Sequence, residues 1–226
     1  MKKALIIAFV FLLQLVNAQN VYLTRVEKTH GNTDRFLYKI DDVKDAEYLG
    51  EIEVQGFSKY DDEVFALVYK KAKEIGANTY TLKPFENIDG TKQDFNPSNY
   101  RLSLYFLPKA KMAEQTGFMY IFASSDKNQK IAVNNKDYVI APRSYIMLKT
   151  VPGEIYTVST RKLLGSAIKI QPKDNSSNQY FQISAAKIKS DNTGTGGLNL
   201  KSGDIIGLES SYGYFLSTIY HQQKAE

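Results

Sequence analysis

The chain has no cysteine and no tryptophan, and only two histidines, His30 and His221. Without cysteine there is no disulfide, no thiol nucleophile, no thiolate metal site and no residue for lipid attachment. A histidine-based metal site or catalytic triad would need both histidines brought together with acids, or one working nearly alone. His30 falls in an expected hairpin turn and His221 lies near the end of the chain, so both read as surface residues. Motifs of the G-x-S-x-G, H-E-x-x-H and P-loop types are missing as well. No catalytic, metal-binding or cofactor-binding residue is therefore assigned, and the expectation is a protein that is not an enzyme. Charge of one sign is also scarce: the net +5 falls to +3 once Lys2 and Lys3 are set aside. A balance so small gives no reason to expect a nucleic-acid partner.

What is present is aromatic and β-prone. Sixteen tyrosines and twelve phenylalanines in 226 residues suit a strand-rich protein of one large or two small domains. Met1-Lys2-Lys3, the apolar run Ala4 to Leu13, and Val16-Asn17-Ala18 read as a secretory signal peptide over residues 1–18. The run is too short for a comfortable transmembrane helix. The expectation is export to the periplasm or beyond, with no integral membrane span after cleavage.

The stretch from Tyr48 to Phe85 carries the clearest local signal. Tyr48, Gly50, Ile52 and Val54 alternate with Leu49, Glu51, Glu53 and Gln55, the period of a half-buried strand. Asp61 is placed as N-cap, with Asp62 and Glu63 favoured by the positive end of the helix dipole. Val64, Leu67, Val68, Ala72 and Ile75 then form one helical face, Lys70, Lys71 and Lys73 load its C-terminal half, and Gly76 suits the left-handed position that ends a helix. A second strand starts near Tyr80 and stops at Pro84. Earlier, Val21 to Lys28 and Arg35 to Ile40 read as strands around the turn 30–34, followed by a solvated acidic segment at Asp41, Asp42, Asp45 and Glu47. Later, a long polar loop from Glu86 to Ser98 leads into a strand whose Tyr100, Leu102, Leu104 and Phe106 share a face.

YLGEIEVQG followed by a helix ending KKAKEIGANTYTL resembles the small envelope modules of the YbjQ-like family and of the Rcs stress-sensor lipoprotein. The match covers about residues 47–107, with Gly76, Ala77 and Asn78 at the position where those modules end the helix and begin the next strand. The resemblance implies an envelope α+β fold and a link to stress signalling. The sensor's disulfides and lipidated cysteine have no counterpart here.

Pro108 to Gly117 is polar and lacks strand periodicity, so residues 108–117 read as a linker after an α+β domain over 19–107. From Phe118 onward the pattern becomes short strands between turns, ending with Tyr180 to Ala185, Leu198 to Leu200, Ile205 to Glu209 and Tyr214 to Ile219, with no helix of useful length. Such spacing indicates an antiparallel sandwich or barrel. The expected fold is thus α+β overall: a strand-helix-strand domain with a mixed sheet, then an all-β antiparallel sandwich over 118–222 and a tail at 223–226. Ile131 to Arg161, with turns at Asn134-Asn135 and Pro152-Gly153, is similar to PEGA-like secreted sandwiches, which implies a surface or interaction module.

Five tyrosines, Tyr145, Tyr156, Tyr212, Tyr214 and Tyr220, are the candidates for an aromatic binding surface facing an envelope protein or a glycan. The competing reading turns them into the sandwich core. Thr193-Gly194-Thr195-Gly196-Gly197 has the glycine content of a phosphate loop but no following helix, and reads as a hairpin connection. The expected function is a noncatalytic, exported envelope-binding protein. The alternatives are a hydrolase using carboxylates of the 86–98 loop, and a structural oligomer built by pairing sheet edges.

Overall fold

A computed structural model describes residues 20–112, 116–160, 165–174, 176–184, 201–202 and 204–225. The expected signal peptide, the Thr193–Gly197 segment and the strand expected at Leu198–Leu200 lie outside the described residues. The chain divides into two units, the described parts of Met1–Thr33 with Glu47–Phe106, and of Asp34–Ala46 with Leu107–Glu226. The fold is α+β and rich in sandwich-like sheets. No helix among the described residues is long and apolar enough to cross a membrane.

In chain order the first elements are β1 (Asn20–Val26), β2 (Tyr38–Lys39), β3 (Glu47–Gln55), α1 (Asp61–Glu74), β4 (Thr79–Lys83) and β5 (Asn99–Phe106). Within the first unit the strands lie in the order β1-β3-β5-β4, each antiparallel to its neighbour. β3 and β4 therefore run in the same direction with β5 between them, which makes β3-α1-β4 a split crossover. The helix buries Asp61, Val64, Phe65, Val68 and Ala72, a stripe at the helical period. Leu67, expected on that stripe, is 44% exposed, because it falls to one side of the arc swept by Val64, Phe65, Val68 and Ala72. Asp61 is the first helical residue rather than the N-cap; that position belongs to Tyr60, which makes no side-chain cap.

The expected alternation along β3 fails at its start. A bulge between Tyr48 and Gly50 inserts an extra residue opposite β5, so the phase flips there. Leu49 becomes fully buried, and Tyr48 joins Glu51 on the other face, donating its hydroxyl hydrogen bond to Glu51 at 2.9 Å.

The second unit continues with β6 (Phe118–Phe122), β7 (Gln129–Val133), β8 (Lys136–Ile140), β9 (Ser144–Lys149), β10 (Tyr156–Thr160), β11 (Ala167–Ile170), β12 (Gln179–Ile183), β13 (Lys201–Ser202), β14 (Ile205–Leu208), α2 (Ser210–Ile219) and β15 (His221–Gln223). One sheet has the order β11-β10-β7-β8 and the other β13-β14-β12-β6-β9-β15. Met119, Ile121, Ile146 and Ile183 of the larger sheet share one buried cluster with Ile131, Ile140, Val158 and Ile170 of the smaller, which is the sandwich core. The turns expected at Asn134-Asn135 and Pro152-Gly153 are there. Asn134 and Asn135 both take positive φ, 47° and 67°, as a type I′ hairpin turn requires.

Three features depart from the expected all-β antiparallel sandwich. β12 pairs with β6, and β15 with β9, in parallel. Tyr214 to Ile219 is helix, not strand: Ser211, Phe215, Leu216 and Ile219 are its buried stripe, and Glu209 caps it by accepting from the Tyr212 N–H at 3.2 Å. Last, residues 34–46 group with this unit rather than with the first, and of the strand expected over Arg35–Ile40 only β2 forms.

Candidate functional site

The five candidate tyrosines are all in the second unit, and most of their surface is gone. Tyr145, Tyr156 and Tyr220 are buried, while Tyr212 and Tyr214 are partly buried on α2. Tyr156 points into the sandwich core, its hydroxyl donating to Glu154 and accepting from the Val151 N–H. The other face of the larger sheet carries Tyr120, Phe122, Tyr145 and Tyr180, whose rings meet one another and are continued by Tyr214 and Tyr38 at 5.6 and 4.9 Å centroid separations. Tyr220 packs edge-on against Phe122 and beneath the Arg143 guanidinium. This is an internal aromatic layer, and alternation on both faces of the sheet explains why sequence alone left it ambiguous.

Burial pushes the Tyr120 hydroxyl up to about 12, with the charges of Tyr145, Tyr214 and Asp41 adding to it. Tyr145 and Tyr180 are likewise raised by burial. A phenol held neutral in the fold contributes stability that is complete below its ordinary pKa of about 10 and is lost as pH rises through the raised value. Between about pH 10 and 12, tyrosinate absorbance should therefore rise in a cooperative step coincident with loss of the far-ultraviolet strand signal. A smooth titration of all tyrosines near pH 10 with the fold intact would contradict this packing.

The first unit holds a polar cluster on the sheet face that bears Glu51. Glu51 is buried, accepts from Tyr48 and Lys83, and has Arg101 nearby. Burial works to raise its pKa, but the hydrogen bonds from Lys83 and Tyr48 and the charges of Lys83 and Arg101 together outweigh it and hold the carboxyl below its ordinary range. Tyr48 is pushed up to about 12, first by burial and then by its bond to Glu51. Arg101 lies over Phe85 at 4.2 Å and donates to the Pro84 carbonyl. An ionised carboxylate saturated by fixed cations is a poor general acid or base, and it serves to lock register across β3, β4 and β5.

One end of the first unit is different. Gln55 at the end of β3 pairs with Asn99 at the start of β5, and β4 ends at Lys83 beside Arg101. Residues 56–60 and 84–98 therefore emerge together, from the C-terminal ends of two strands that run the same way. Sites in open α/β sheets tend to form at such ends. These loops expose large apolar side chains: Phe57 51%, Tyr60 62%, Ile88 110% and Phe95 39%. The second loop is a built hairpin tip. Asn87 N–H donates to the Thr91 carbonyl at 2.8 Å, Gly90 N–H to the Asn87 carbonyl at 3.0 Å, and Gln93 N–H to the Phe85 carbonyl at 2.8 Å. Asp89 accepts from the Thr91 hydroxyl and N–H, and those bonds, the hydroxyl's first, hold its carboxyl low. Ile88 stands at the apex.

The loop carboxylates expected for a hydrolase, Glu86, Asp89 and Asp94, are all exposed on this hairpin. His30 stacks on Phe106 with centroids 3.6 Å apart, and His221 is exposed on β15. Among the described residues no group of three His, Asp or Glu could hold a metal ion. An open depression of about 410 Å³ lies over Pro152, Gly153, Gln171, Pro172, Lys173 and Asp174 in the second unit. In the sequence the apolar loop end is masked by the polar composition of 86–98. Its only signal was large apolar residues in turn segments, Phe57 and Tyr60 beside Gly56 and Ser58, and Ile88 and Phe95 among Asn, Asp and Gly. Compared with known family models, curated proteins and solved structures, the chain matches none.

Proposed function

We propose that this chain is an exported, noncatalytic binding protein of the cell envelope, and that it engages its partner through the loop end of the first unit. The carrying observation is Ile88. A fully exposed isoleucine on a hairpin whose backbone is fixed by internal hydrogen bonds is a preorganised apolar anchor, since no loop ordering is charged against binding. Phe57, Tyr60 and Phe95 supply aromatic area at the same end, and large exposed apolar groups gathered on loops of a rigid scaffold are typical of recognition surfaces.

The test is photo-cross-linking in the native envelope from a reactive residue at position 88, with position 139 of the second unit, also exposed, as control. Adducts specific to position 88 are expected. Phe57→Ser with Phe95→Ser should lower their yield about tenfold or more, the scale of burying one or two large apolar side chains. Identical adduct profiles from positions 88 and 139 would overturn the reading.

A further inference from the structure

We infer that the partner met by the loop end is a cationic polypeptide surface, with lysine or arginine side chains set around an apolar contact. This rests on the proposed role of that end and adds the chemistry of what it binds. The apolar tips define the place; the charges around them select the occupant. Residues 56–63 carry one lysine against three carboxylates, and residues 84–98 again carry one lysine against three, a net of −4 on a chain whose net charge is +5, or +3 without Lys2 and Lys3. Of the carboxylates only Asp61 is buried; Asp62, Glu63, Glu86 and Asp94 are exposed, and none of these four takes part in the hydrogen bonds that build the hairpin tip. The two opposing cations are Lys59 and Lys92, both exposed.

A local field opposite in sign to the whole molecule steers and orients an encounter. It repels nucleic acid and anionic lipid headgroups. A neutral glycan would be indifferent to it. Exposed apolar anchors and exposed carboxylates on the same two segments match a partner that carries basic side chains beside an apolar recess.

The test uses the full chain and defined probes: an amphipathic lysine–leucine peptide, poly-L-lysine, poly-L-glutamate and vesicles containing anionic lipid. One variant, Asp62→Asn, Glu63→Gln, Glu86→Gln and Asp94→Asn, brings the loop end from −4 to neutral while leaving the Asp89–Thr91 turn intact. A control, Asp41→Asn with Asp42→Asn, removes carboxylates from the second unit instead. Expected is binding to the lysine–leucine peptide that weakens with salt and falls at least tenfold in the four-site variant, but not in the control. Ile88→Ser should weaken the lysine–leucine peptide and leave poly-L-lysine unchanged, and amide circular dichroism verifies that each variant is folded. Should the four-site variant not fold, Glu86→Gln with Asp94→Asn, both on the hairpin, reads the same loss at smaller size.

Preference for poly-L-glutamate or anionic vesicles would overturn the inference. So would equal binding by wild type and the neutralised variant, or equal loss in the control. If adducts from position 88 persist while the cationic probes fail, the binding site stands and only the cationic partner falls. If position 88 gives no specific adducts, the binding site itself is withdrawn.

Discussion

Gly76→Ala is expected to lower the stability of the first unit by about 3 kcal/mol or more, against a total of about 5–15 kcal/mol for an ordinary domain. Gly76 has φ +80°, and a Cβ built there would stand 1.7 Å from the His30 carbonyl oxygen. The obstacle is backbone, so no side-chain rotation relieves it. The position is fixed from both sides. Gly76 N–H donates to the Lys73 carbonyl and Ala77 N–H to the Ala72 carbonyl, the paired bonds of a Schellman ending. His30 N–H donates to the Ile75 carbonyl at 3.0 Å, and Asn32 Nδ2 to the Gly76 carbonyl at 3.0 Å. Adding a methyl group must push the 30–32 segment off the helix end or unwind the cap.

Gly90→Ala provides the internal control. Gly90 also has φ +80°, but nothing lies within 4 Å of its Cβ position, so it isolates the conformational cost of about 1 kcal/mol. Thermal unfolding of the two variants separates strain from collision. Equal losses would mean that the approach of His30 to the helix end is not enforced in solution.

That glycine shows what a sequence can reveal. Helix α1, its Gly76 terminus, and the Asn134-Asn135 and Pro152-Gly153 turns are written in short-range chemistry: apolar spacing, charge at the helix ends, and residues that accept positive φ. Other features are decided by contacts distant in sequence. The bulge at Tyr48–Gly50 moves Leu49 into the core through pairing with β5, about fifty residues away in sequence. Nothing local marks it. The segment Ser210–Ile219 carries the β-prone residues Tyr212, Tyr214, Phe215, Thr218 and Ile219, and its β-propensity is overridden by a buried stripe at helical spacing and by the Glu209 cap. The tyrosines were ambiguous for a related reason: the larger sheet is covered on both faces, so strand alternation cannot say which side meets water. The apolar loop end escaped notice because composition averages over a segment, whereas exposure is decided residue by residue.

The segment 34–46 gives the second large effect. Leu37→Ala is expected to destabilise the second unit by about 2–5 kcal/mol, although sequence position assigns that residue to the first domain. Leu37 is fully buried, and its N–H donates to the Ser211 hydroxyl at 3.1 Å. Ser211, itself 1% exposed, donates on to Glu209, the carboxylate that caps α2. Tyr38 meets the Tyr214 ring at 4.9 Å, and Phe36 meets Tyr38 at 4.8 Å. On the same helix Gly213 fits because a Cβ there would come within 2.2 Å of the Tyr180 ring, so α2 is seated tightly on the aromatic layer. Removing the fully buried Leu37 side chain loses its transfer free energy and leaves a cavity in the interior. Hydrogen exchange distinguishes the two assignments. If 34–46 is part of the second unit, Leu37→Ala accelerates exchange in α2, β6 and β12 and leaves β3 and β5 protected. Faster exchange in β3 and β5 with α2 unchanged would return the segment to the first unit. A fragment starting at residue 107 should show the same weakness in stronger form, since it lacks Leu37 and Tyr38 altogether and leaves the Ser211 hydroxyl without its N–H donor.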